Sequence, residues 1–212
     1  MLTNDKKIHL KKYLLNLIAN FEQCPPKASA HVITRLFLAM VIAALMLIAP
    51  CALAEAATPA DLEPMMPVLD SILRTTLEDA SSYDPENSEY VWGVLYRLAV
   101  NYGLNYPEAS IDEETYDYIV PAPLMQSFAA SAFPTLQSIP APSGGTTYDA
   151  ASDSYRLPGS DRSEDSTSIT GVSEREDGAT IANIEMTGES MTVALTPALE
   201  TALFPYVVMS VD

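Results

Sequence analysis

The spacing of apolar residues changes from helical to strand-like between residues 135 and 145, and this change most constrains the fold. Before it, three segments repeat apolar residues at i, i+3 and i+4, which is typical of amphipathic helices. After it, apolar residues alternate with polar ones in short runs, as in strands. Residues 135–145 are rich in Pro, Ser and Gly and are predicted to form a loop. About three helices followed by four to six antiparallel strands predict an α+β fold, with the helices packed on the sheet.

The first predicted helix is amphipathic, and the third is rich in small and apolar residues. The first begins near Pro67, where proline suits an early helical position, and its apolar repeat runs to Ala80. Asp70 and Arg74 lie one turn apart in it and can form an ion pair. The third covers residues 124–133.

The second predicted helix is the most apolar of the three. Asp84 is the expected N-cap, and Gly103 is expected to end the helix in a left-handed conformation. Its few polar residues are spaced four apart, and Glu89 and Arg97 among them are the only charged residues expected close to the core. A helix this apolar is expected to be mostly buried and central.

The predicted strands are bounded by turn residues. Asp177-Gly178 is a strong signal for a hairpin turn. The predicted strands are residues 116–120, 147–149, 155–157, 168–173, 179–186, 191–195 and 206–211.

In element order alone, this layout resembles the cystatin-like and NTF2-like rolls, in which an antiparallel sheet packs against a helix. The Gln-x-Val-x-Gly loop of the cystatin inhibitors is missing from this sequence. The resemblance therefore implies a roll topology and carries no function or site residue.

Residues 35–54 have the layout of a secretory signal. An unbroken apolar run spans residues 36–49 and is followed by Pro50 and by the small residues Ala52 and Ala54. We expect cleavage after Ala54 and a secreted or extracytoplasmic product of the bacterial cell envelope. Two alternatives stay open, namely a membrane anchor through residues 36–53 and lipidation at Cys51.

The remaining boundaries follow from composition. Residues 1–34 form a basic leader that is either untranslated or disordered, or that forms an amphipathic helix at a membrane surface. Residues 55–66, which contain Pro59 and Pro64 and are followed by Pro67, are predicted to be a tether. The acidic α+β domain is predicted to occupy residues 67–212.

The net charge and the residue types after Ala54 limit the ligands and the catalytic mechanisms that this part of the chain can use. From Glu55 onward there are five arginines, 26 acidic residues and no lysine, histidine or cysteine, which gives a net charge of −21. Such a surface repels nucleic-acid phosphates, so nucleic-acid binding is disfavoured. Residues 55–212 hold no Ser-His or Cys-His relay, Schiff-base lysine, disulfide or typical zinc ligand set.

Three patterns remain as candidate sites. Calcium could be held by the acidic stretch Asp161–Asp177 or by Asp79, Asp84, Glu86 and Asn87, although neither has the spacing of a calcium loop. Aromatic residues with polar tips cluster on or after the second helix and could line a sugar or peptide cleft. These are Tyr90, Trp92, Tyr96, Tyr102 and Tyr106.

These observations predict a secreted or cell-envelope binding domain without catalytic activity, whose ligand is a protein, a peptide or a glycan. The alternative is an extracytoplasmic hydrolase that uses a pair of carboxylates as acid and base. The sequence assigns no catalytic, cofactor-binding or metal-binding residue, and no cofactor. Contact with a membrane is expected only through residues 36–53, if they are not removed.

Overall fold

The computed structural model describes residues 57–160 and 165–212, so the predicted leader and signal lie outside the described residues. Within these ranges the chain forms three α-helices and two antiparallel sheets of four strands each, which confirms the α+β class. No helix in the described ranges combines the length and the apolarity needed to span a membrane.

A 3-10 helix spanning Pro59–Met65 precedes the first α-helix. Its Leu62 and Met65 are fully buried in the core, so the prediction that residues 55–66 form a tether is wrong for this part. The prolines interrupt α-helical hydrogen bonding but are compatible with a short 3-10 turn. Asp61 accepts hydrogen bonds of 2.7 Å from the hydroxyl and the backbone N–H of Thr58, which lower the pKa of its carboxyl group.

Helix α1 spans Met66–Glu78, α2 spans Ser88–Tyr102 and α3 spans Ala122–Ala132. The second helix ends before Gly103, as predicted, but its predicted N-cap and the predicted left-handed conformation of Gly103 are wrong. Its N-cap is Asn87, whose Oδ1 accepts from the backbone N–H groups of Glu89 and Tyr90 at 3.0 and 3.3 Å. At its other end Gly103 keeps a right-handed conformation and continues into a 3-10 turn.

The first sheet, called sheet A, has the strand order β1-β2-β4-β3. The central pair joins β2 to β4, which are separated in sequence by α3, while β3 and β4 form the predicted hairpin. The strands are β1 Ser110–Ile111, β2 Tyr118–Pro121, β3 Thr147–Asp149 and β4 Ser154–Leu157.

The second sheet, called sheet B, is a meander with the order β5-β6-β7-β8. The turn between β5 and β6 contains Gly178 at a φ of +86°, as Asp177-Gly178 predicts. Thr187 and Gly188 join β6 to β7 with positive φ at both residues. The strands are β5 Ser168–Glu174, β6 Thr180–Met186, β7 Glu189–Pro197 and β8 Tyr206–Val211.

The core lies between the helices and one face of sheet B. Helix α2 is central, as predicted, with eight of its residues buried, including Val94, Leu95 and Leu98. From sheet B, Ala182, Ile184 and other alternate residues of the strands face the same core. The strands divide into two sheets, and the predicted roll topology of the cystatin-like and NTF2-like proteins is not confirmed.

Strand β8 is an outer strand of sheet B and pairs only with β7 among the described strands. It contains neither a charged residue nor a proline, and the Met209 side chain is 55% exposed.

Candidate functional site

A cleft of about 350 Å³ lies beside the N-terminal half of α2. One wall belongs to that helix and the other to the loop before β3. The residues that line it are Glu89, Trp92, Gly93, Tyr96, Ser143, Gly144 and Thr146. Its volume is at the small end of the roughly 300–1,000 Å³ typical of ligand sites, so it suits one side chain or one sugar ring.

The helical repeat of α2 brings four of these residues to the cleft. Glu89, Trp92, Gly93 and Tyr96 stand at i, i+3, i+4 and i+7, which places them on one face of the helix. Seven residues of α-helix rise about 10 Å, which sets the length of the wall between Glu89 and Tyr96.

Trp92 is held rigidly at the base of the cleft. Its indole Nε1 donates a hydrogen bond of 3.1 Å to the carbonyl oxygen of Pro140, and its ring lies 5.4 Å from that of Tyr155, centroid to centroid. The residue is 3% exposed. Because the indole N–H is already bonded, Trp92 offers a ligand only its apolar ring.

Tyr96 is fixed in the same way at the far end of the helical wall. Its hydroxyl donates a hydrogen bond of 2.7 Å to the carbonyl oxygen of Pro158. The hydroxyl therefore ties α2 to the segment after β4, while the half-buried ring borders the cleft. Both aromatic residues are preorganised by contacts with the chain itself.

A tight turn from Ser143 to Thr146 forms the opposite wall. The backbone N–H of Thr146 donates to the carbonyl oxygen of Ser143 at 3.0 Å. Gly144 and Gly145 have φ values of +62° and +85°, a region that favours glycine. The sequence predicts a loop here, but it gives no indication that the loop packs against α2.

Gly93 allows α1 to approach α2 closely behind the cleft. A Cβ atom on Gly93 would lie 2.9 Å from Cγ2 of Thr75 on α1, closer than real contacts permit. Thr75 is itself fully buried, with its hydroxyl bonded to the carbonyl oxygen of Ser71 at 2.7 Å.

Of the two charged residues of α2 that the sequence places close to the core, one lies elsewhere. Glu89 is exposed at the second position of the helix, where its charge faces the positive end of the helix dipole, so the prediction that it lies close to the core is wrong. Arg97 contacts the carboxylates of Glu78 and Asp79 on the end of α1, each at 3.1 Å. Burial alone would lower the pKa of Arg97, but these two carboxylates raise it.

The buried charge pair is Asp70 with Arg74 on α1. Asp70 is 2% exposed and Arg74 6%, and Nε of Arg74 lies 2.9 Å from both carboxylate oxygens. Asp70 also accepts hydrogen bonds from the hydroxyls of Tyr102 and Thr167, and Nη2 of Arg74 donates to the carbonyl oxygen of Asp165. These contacts connect α1 to α2 and to the segment that enters sheet B.

One atom of that pair lacks a hydrogen bond. Nη1 of Arg74 is buried and has no hydrogen-bond partner among the described residues, although it lies 3.5 Å from Oε1 of Glu78. At 3.5 Å this is a charge contact without the geometry of a hydrogen bond. The guanidinium is thus held mainly by Asp70.

The other aromatic candidates lie outside the cleft. Tyr90 is buried against Tyr83 and Phe133, and its hydroxyl lies 2.9 Å from that of Thr76. Burial raises the pKa of Tyr90 and that of Tyr83. Tyr102 donates to Asp70, and Tyr106 packs edge to face on Phe128.

The calcium candidates have other partners. Among residues 57–160 and 165–212, no three acidic, histidine or cysteine side chains are placed to hold a metal ion. Asp79 binds Arg97, and Asp84 accepts from the backbone N–H of Glu86 at 3.0 Å. In the acidic stretch, Arg175 lowers the pKa of Asp177 to about 2 through a contact of 2.7 Å, while residues 161–164 lie outside the described residues.

Three further clefts lie between α1, α2 and Ser160, beside the N-terminal 3-10 helix, and at the end of sheet A. Counting the described residues, each of the four clefts is lined by at most one carboxylate: Glu89 in the α2 cleft, Glu78 in the second and Glu63 in the third. A glycosidase-type reaction needs two carboxylates on either side of one bond. None of these clefts supplies that pair.

Comparison with protein-family models, with curated proteins and with solved structures finds no match.

Proposed function

We propose that this protein is an extracytoplasmic binding domain without catalytic activity, and that its ligand occupies the α2 cleft. The observation that carries the proposal is the preorganised aromatic wall. Trp92 and Tyr96 line the cleft while their polar tips are bonded to Pro140 and Pro158. A ligand then finds fixed apolar surface with little loss of side-chain entropy on binding.

The polar groups around this wall suit binding. Ser143 and Gly144 line the opposite wall, and a hydroxyl or backbone group in such a wall can orient a ligand by hydrogen bonds. The cleft residues include no histidine, cysteine or lysine and a single carboxylate. The side chains that line it thus provide surface and hydrogen bonds, and they include no nucleophile with an adjacent base.

Fluorescence of Trp92 tests the proposal directly, because it is the single tryptophan of the chain and lines the cleft. The full-length chain in mild detergent is titrated with libraries of short peptides and oligosaccharides. We expect at least one class to change the emission in a saturable way. Ser143→Phe fills the cleft and should abolish the change, whereas Ser138→Phe, at an exposed position outside the cleft, should preserve it.

Saturable binding that Ser143→Phe leaves intact would place the ligand elsewhere and refute the proposed site. Failure of every library to bind would refute the proposed function.

The extracytoplasmic location is tested separately. Expression in a bacterial host should yield an exported product whose first residue is Glu55, as the small residues Ala52 and Ala54 predict. Mass spectrometry of the mature N-terminus measures this. An uncut chain in the membrane fraction would support the anchor through residues 36–53 instead.

A further inference from the structure

We infer that the α2 cleft selects a cationic side chain, an arginine or lysine of a basic peptide. This inference rests on the proposed function and specifies its ligand. It follows from the position of one exposed carboxylate, from the uncharged wall opposite it, and from the aromatic surface between them.

Among residues 57–160 and 165–212, Glu89 is the only charged residue that lines the cleft. The residue is exposed, so its carboxylate is accessible from solvent beside the cleft. The opposite wall is formed by Ser143, Gly144 and Thr146, which lie in a stretch, residues 136–147, without a charged residue. Of the described residues that line the cleft, a cation therefore meets one that is negatively charged and none that is positively charged.

The nearest arginine does not cancel this charge. Arg97 lies one turn beyond Gly93 but is paired with Glu78 and Asp79, so these three side chains together carry one net negative charge. Glu86 adds another exposed carboxylate before the start of α2. The potential near the cleft is therefore negative on the helical side.

The aromatic wall suits a cation that carries an apolar stem. The rings of Trp92 and Tyr96 border the cleft next to Glu89 along the same helical face. Arginine and lysine place methylene groups on such rings and direct the charged end towards a carboxylate or a ring face. An acidic or neutral side chain would gain the apolar contact without the charge pairing.

The field of the whole domain acts in the same direction. Residues 55–212 carry a net charge of −21 without lysine, which attracts cationic ligands and accelerates their encounter at low ionic strength. That field alone would give nonspecific attraction. The cleft is expected to fix where the cation binds. Removing one negative charge in the cleft and, separately, one beside it distinguishes binding at this position from nonspecific attraction.

The test uses the full-length chain in mild detergent, with Trp92 emission as the readout. Acetyl-Gly-Arg-Gly-amide is compared with its nearly isosteric citrulline analogue, with the glutamate analogue and with maltotriose. We expect binding of the arginine peptide only, and a loss of affinity of about tenfold in Glu89→Gln, which removes one charge-assisted contact. Glu86→Gln makes the same change in net charge outside the cleft and should change affinity by less than about twofold.

Salt dependence gives a second readout, because screening weakens the ion pair. Affinity of the unmodified chain should fall between low and high salt more steeply than that of Glu89→Gln. Equal losses in Glu89→Gln and Glu86→Gln would show attraction by net charge alone and overturn the inference. Equal or tighter binding of citrulline, glutamate or maltotriose, abolished by Ser143→Phe, would overturn it while the proposed binding function stands. If no probe from any class binds the cleft, the proposed function itself fails.

Discussion

Removal of the Asp70 carboxylate is expected to be one of the most destabilising single changes in the domain. Asp70→Ala leaves the guanidinium of Arg74 buried at 6% exposure without its partner. Loss of one member of a buried ion pair costs about 3–5 kcal/mol in the free energy of unfolding. For a domain of this size, that corresponds to a fall in melting temperature of about 6–20 °C.

Urea unfolding followed by circular dichroism measures the loss of unfolding free energy, and two further variants serve as comparisons. Asp70→Leu/Arg74→Met replaces both charges by apolar side chains and should recover most of the stability. Asp177→Ala breaks the exposed contact with Arg175 and one backbone hydrogen bond of the turn, and it should cost far less than Asp70→Ala. If Asp70→Ala costs no more than Asp177→Ala, the pair does not stabilise the fold and the reasoning is refuted.

Three further predictions concern other parts of the domain. Gly93→Ala should lower the free energy of unfolding by about 1–3 kcal/mol, because its Cβ would overlap Thr75 between α1 and α2. An unchanged free energy in denaturant unfolding would mean that the two helices can move apart without cost. Thr187→Asn should raise the melting temperature by a few degrees, a gain of about 0.5–1 kcal/mol, since Thr187 is β-branched at a φ of +54° and Asn-Gly suits this turn; an unchanged or lower melting temperature would contradict this. Acid should destabilise the fold between about pH 4 and pH 2, because Arg156 and Arg175 hold the pKa values of Asp112 and Asp177 below the ordinary range. The stability that these two ion pairs contribute is complete above the pKa of the unfolded state and is lost as pH falls through the lower pKa of the folded state. Melting temperatures that rise as pH falls across this interval would contradict the prediction.

The helices were predictable from sequence because their periodicity is local, but their ends were not. Asp84 and Asn87 both have side chains that can cap α2, and only the packing of the chain selects Asn87. The prolines of residues 59–65 predict an interruption, and they do not show that the neighbouring Leu62 and Met65 reach the core. Local preference gives the type of an element more reliably than its boundaries.

The hairpins of the two sheets were also predictable, whereas the division into two sheets was not. The pairing of β3 with β4 and of β5 with β6 follows from turn residues between neighbouring strands. The pairing of β2 with β4 crosses α3 and depends on tertiary packing, which no local pattern encodes. The same holds for the cleft, since the spacing of Trp92 and Tyr96 is visible in the sequence and the wall from Ser143 to Thr146 is not.

The outer strand β8 carries no charged residue, so the acidic surface of the rest of the domain affects whether this edge pairs with another molecule. Many proteins protect such an edge from pairing with another molecule by a lysine, a proline or a bulge within the strand. Here β8 has neither lysine nor proline, although its pairing with β7 is irregular at Met209. Beyond that bulge, the protection of the edge depends on mutual repulsion between highly charged molecules. The Debye length falls from about 10 Å at 0.1 M salt to about 3 Å at 1 M, so concentrated salt should remove that protection. We therefore expect concentrated salt to promote self-association through β8, although the same salt weakens the charge repulsion within each folded molecule.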